Sequence, residues 1–70
     1  MDKFTFTGYS LFLVGLCAVV VPTNSEAESK MFRDRRQFEF VGKDFMSIRE
    51  AEFYCRNEFG LAPYEIGTAR

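Results

Sequence analysis

The sequence has no histidine, which removes the commonest general base and the commonest metal ligand from a chain of 70 residues. Cysteine occurs twice, at Cys17 and Cys55, so there is no cysteine framework to staple a small fold. Neither asparagine-glutamate context offers a glycosylation sequon: Asn24-Ser25-Glu26 and Asn57-Glu58-Phe59 both fail the pattern. There are no internal repeats and no low-complexity segment. The formal charge is −1, so no field of one sign points to nucleic acid. Catalysis by an activated thiol is disfavoured as well, because Cys55 has no base to serve it. The carboxylates of Glu50, Glu52 and Glu58 point in different directions on a helix and read as capping and solvation, not as an acid/base set. The chain reads as non-enzymatic, with no cofactor and no metal.

What is present begins with a long apolar run. Lys3 precedes it, Tyr9 to Val21 form it, Pro22 and Asn24 end it, and Ser25-Glu26-Ala27 offers a small-x-small site. This is the pattern of a secretory signal peptide over residues 1–27, cleaved between Ala27 and Glu28. The run is shorter than the roughly 20 residues a membrane span requires. In the intact chain it predicts a helix over 4–21. Cleavage leaves a secreted, extracellular product with no stable membrane association, with eight basic and eight acidic residues over 28–70. It also removes Cys17 and leaves Cys55 alone. A lone cysteine outside the cell suggests a disulfide to another protein chain or to a second copy of this one.

Residues 28–36 read as a flexible charged leader. Its cluster Arg33-Asp34-Arg35-Arg36 is a solvated basic segment, and Arg35-Arg36 doubles as a dibasic processing site if the chain is instead a secreted peptide precursor. Gln37-Phe38-Glu39-Phe40-Val41 alternates and predicts a short strand, with the aromatic pair on one face. Gly42-Lys43-Asp44 predicts a turn.

The most legible segment is Ser47 to Gly60. Ser47 is an N-cap, and Glu50, three residues on, is placed to reach back to the Ser47 N–H in a capping box. Met46 is placed to staple onto Ala51, and Gly60 to stop the helix in the left-handed conformation. Ile48, Ala51, Cys55 and Phe59 share one face. Glu52 and Arg56 are spaced as an i,i+4 ion pair. Phe53 falls opposite the stripe. Leu61 to Ile66 predicts a weak second strand, confined to an edge by Pro63, and Gly67 to Arg70 a frayed end.

Strand, capped helix and weak strand, with Ser47, Glu50-Ala51, Tyr54-Cys55 and Leu61-Ala62 at their spacings, resemble the start of a C-type lectin-like domain over residues 37–66. The resemblance implies an α+β fold, here a partial C-type lectin-like unit following the signal peptide. It implies kinship with a carbohydrate-binding family while lacking the half that carries its calcium and sugar ligands and the partner of Cys55. Ile48 stands where that family has an aromatic residue, and the Cys55–Leu61 spacing is a residue short. The expectation is a small secreted binding or interaction protein built on a truncated domain of residues 37–70.

Overall fold

The computed structural model describes residues 8–68 and shows a small α+β fold: one four-stranded mixed sheet with a helix on each face. The long apolar run is the centre of that sheet. β1 (Tyr9–Val14) and β2 (Cys17–Pro22) form an antiparallel hairpin, paired from Tyr9 with Pro22 to Val14 with Cys17. Gly15, at φ +62°, takes the first position of the two-residue loop, where a left-handed backbone matches the twist of the strands. The expected helix over 4–21 is therefore corrected for its described part, 8–21; residues 4–7, with Lys3, lie outside the described residues.

A hairpin explains the run as well as a signal peptide does, because it is buried on both faces and has no polar side to alternate with. Leu11, Ala18 and Val20 face one way, toward Ala51, Cys55 and Ile66. Phe12 and Val21 face the other way, toward Met31.

α1 (Glu26–Arg33) follows directly and corrects the flexible leader of 28–36. Ser25 caps it, its hydroxyl accepting from the Glu28 N–H at 3.1 Å. Ser25-Glu26-Ala27, read as a cleavage site, is thus the start of a helix. Met31, Phe32 and Ala27 pack this helix onto the Phe12 face of the hairpin.

β3 (Glu39–Phe45) pairs antiparallel with β1 and runs through the expected turn at Gly42-Lys43-Asp44. The register accounts for the misreading. Phe12 pairs with Phe40, Leu11 with Gly42 and Tyr9 with Phe45, so β3 carries an extra residue in each interval. These bulges put glycine, lysine and a left-handed Asp44 (φ +76°) inside a strand.

α2 (Ile48–Glu58) lies where its cap, stripe and stop place it. The Ser47 hydroxyl accepts from the Glu50 N–H at 3.1 Å, and Gly60 has φ +68°. Ala51 and Cys55 are fully buried, while Phe59 at the end of the stripe is exposed. Phe53, opposite the stripe, is exposed too. Three local expectations are corrected. Glu50 accepts from the Met46 N–H, not from Ser47. Met46 is exposed, and Phe45 packs instead, its ring 5.4 Å from that of Tyr54. Glu52 and Arg56 form no ion pair among the described residues.

After Gly60 the chain makes a short 3₁₀ turn over Pro63–Glu65 and then β4 (Ile66–Thr68), which pairs parallel with β2. The second strand therefore starts where the expected one ends, and Gly67 and Thr68 are paired, not frayed. The sheet order is β3-β1-β2-β4.

Candidate functional site

The two ends of the hairpin have different surroundings. At one end, Ser10 and Glu28 are buried together under α1. The Glu28 carboxylate accepts from the Ser10 hydroxyl through one oxygen and from the Asn24 N–H at 2.8 Å through the other. Ser10 and Thr23 hydroxyls lie 2.9 Å apart, and no buried polar side-chain atom is left without a partner among the described residues. A satisfied carboxylate at the first turn of a helix locks the hairpin to α1. Neither Ser10 nor Glu28 lines either of the two grooves described below. The cluster escaped the sequence reading although Ser25-x-x-Glu28 has the same spacing as Ser47-x-x-Glu50. Glu65 repeats the device, accepting from the Ala62 N–H at 2.7 Å.

At the other end, the β1–β2 loop and the turn between α1 and β3 enclose an open groove of about 530 Å³. It is lined by Leu13 and Gly15 of the hairpin and by the consecutive residues Arg35, Arg36, Gln37, Phe38, Glu39 and Phe40. Phe40 is 41% exposed, yet its ring is anchored: the ring centroids of Phe12 and Phe32 lie 5.4 and 5.1 Å away. Phe12 is fully buried and contacts Phe32 edge-on at 5.2 Å. The sequence names Arg35 to Phe40 as a run, but only the fold brings Leu13 and Gly15 beside them. Arg35 and Arg36 are exposed in the turn and form no ion pair among the described residues.

The remaining aromatics do not join this site. Tyr54 packs between Phe45 and Phe59 on the flank of α2, the Phe59 ring 6.1 Å away. Phe53 lines a smaller groove of about 360 Å³ with Arg56, Asn57 and Pro63. Cys55, expected to pair between chains because its stripe lacked cover, is covered by the hairpin and fully buried. Burial, and secondarily the charge of Glu52, push its thiol above the ordinary range. Its sulfur lies in the core as a free thiol, and Cys17, exposed beside the hairpin loop, is likewise a free thiol.

No three acidic or cysteine side chains cluster as a metal site among the described residues. No helix there is long and apolar enough to cross a membrane. Comparison with protein-family models, with curated proteins and with solved structures finds no match.

Proposed function

We propose that the chain is a small non-catalytic interaction protein that binds its partner in the groove between the β1–β2 loop and the start of β3. The observation that carries this reading is Phe40. A large ring left partly in water, yet held by two others, offers apolar contact without the entropic cost of ordering it on binding. Neighbouring cations that form no ion pair among the described residues give the groove a polar rim, as interaction sites have. The two buried carboxylate and hydroxyl groups that could suggest chemistry, Glu28 and Ser10, satisfy each other away from the groove.

The working form in this proposal keeps residues 9–22. Supporting this is the pairing itself: among the described residues, β3 joins the sheet only through β1, and β4 only through β2. Removal of residues 1–27 would take both central strands and cut α1. Secretion of a cleaved product is therefore not part of the proposal. Nor is kinship with C-type lectin-like domains, since the strand resembling an opening element is here an edge strand added to a preceding hairpin. Processing at Arg35-Arg36 would sever β3 from α1 and is set aside for the same reason.

The test is backbone amide mapping by NMR on the full chain, titrated with a panel of short blocked peptides of acidic, basic, aromatic and neutral composition. Binding should move the Leu13, Gly15, Phe38 and Phe40 resonances and leave those of Phe53 and Arg56 in place. Mass spectrometry of the same samples should return every peptide unaltered. A panel that leaves the groove resonances unmoved, or a peptide that is turned over, overturns the reading.

A further inference from the structure

Resting on that reading, we infer that the groove takes an acidic peptide segment carrying a large apolar side chain, with the apolar group on Phe40 and the carboxylates on Arg35 and Arg36. Charge complementarity commits the occupant. The lining holds two guanidiniums against the single carboxylate of Glu39, and neither arginine is engaged in an ion pair among the described residues. Guanidinium is the side chain best shaped to take a carboxylate in two parallel hydrogen bonds. The two arginines are adjacent in a turn, and Gln37 beside them supplies a neutral donor and acceptor for peptide amides.

The apolar half of the ligand follows from the exposed rings. Phe40 and the half-buried Phe38 lie on the Phe12 face of the sheet and present a surface that water covers poorly. Leu16, at the tip of the adjoining loop, is 85% exposed. A free small anion would leave these groups uncovered.

A polyanion fits less well than a peptide. Asp34 and Glu39 flank the two arginines, so the site suits the one or two carboxylates of a short peptide, whereas the regularly repeated phosphates of a longer polyanion would meet repulsion on either side. The peptide sits on the rings and cations and does not extend the sheet. The outer edge of β3 is broken by its two bulges and carries Glu39, Lys43 and Asp44, all of which discourage strand addition.

The experiment uses the full chain and three fluorescein-labelled probes: a blocked peptide alternating glutamate with leucine and phenylalanine, the same peptide with glutamine for glutamate, and a short single-stranded oligothymidylate. Fluorescence anisotropy at about 50 mM salt should show the glutamate peptide binding about fivefold more tightly than the glutamine peptide, as expected for two exposed ion pairs. At about 300 mM salt the difference should shrink, because exposed charges are then screened. R35Q/R36Q, a change confined to exposed side chains, should abolish the preference, the two peptides then binding alike. F40L, which keeps an apolar contact with Phe12 and Phe32, should weaken both peptides alike. Equal binding of the two peptides overturns the acidic occupant but leaves the groove as a binding site. Tighter binding of the oligonucleotide overturns the peptide in favour of a nucleic acid. If none of the probes moves the Phe40 amide resonance, the inference and the groove reading fail together.

Discussion

The Glu28 carboxylate should be the most costly polar group to remove from this protein. In E28A the Ser10 hydroxyl loses its charged acceptor, and the Asn24 N–H loses its only partner in the described structure. Ser10 retains Thr23 at 2.9 Å, so it is weakened and not orphaned. Asn24 is exposed, so water replaces part of what it loses. Hydrogen bonds to a charged group are each worth about 1.5–3 kcal/mol when buried, and the two discounts bring the expected total to about 2–3 kcal/mol. A domain of this length has roughly 3–9 kcal/mol in all. With a urea slope near 1 kcal/mol/M for a small protein, the midpoint should fall by about 2–3 M. Urea unfolding followed by far-ultraviolet circular dichroism measures this. A cycle of S10A, E28Q and the double variant should show a coupling of about 1 kcal/mol. A midpoint loss under about 0.5 M, with no coupling, would refute the lock between hairpin and α1.

S47A should cost about 1 kcal/mol, read from the same urea curves, because the Glu50 N–H loses its cap. The Cys55 thiol, raised by burial, stays protonated in the fold when the unfolded chain ionises. Stability should therefore fall as pH rises past the ordinary thiol value of about 8.5, and C55A should flatten that fall. In native protein a thiol reagent should label Cys17 at once and Cys55 only on unfolding; equal labelling would show that the hairpin does not cover α2. A chain of residues 28–70 should give a coil-like circular dichroism spectrum, and a folded sheet signal from it would revive cleavage after Ala27.

The parts of the fold that were legible are those specified by neighbours in sequence. α2 carries its own cap, stripe and stop in Ser47, Ala51, Cys55 and Gly60, so nothing distant is needed to recognise it. β1 and β2 carry no such mark. Tyr9 to Val21 are apolar on both faces because helices cover both, and periodicity vanishes when neither face is wet. The same run then makes Ser25-Glu26-Ala27 look like a cleavage motif, although Glu28 stands where a capping box needs it. β3 was read in half because its bulges place Gly42 and Asp44 in mid-strand. The site was half legible: Arg35, Arg36, Phe38 and Phe40 are consecutive enough to notice, but Leu13 and Gly15 reach them only by strand pairing.

The sheet order also dictates a history for each newly made chain. Residues 9–22 leave the ribosome before α1, β3, α2 and β4, the described elements that cover them. The hairpin therefore starts with two apolar faces and two open edges. α1 arrives first and screens the Phe12 side. β3 then closes one edge and α2 the second face. The far edge of β2 waits for Ile66, Gly67 and Thr68, which seal Ala18, Val19 and Val20 last. A pause in synthesis before residue 66 would leave the backbone of Ala18, Val19 and Val20 able to pair with a neighbour, and aggregation would begin there. Three residues at the end of the described chain thus act as its closing stitch.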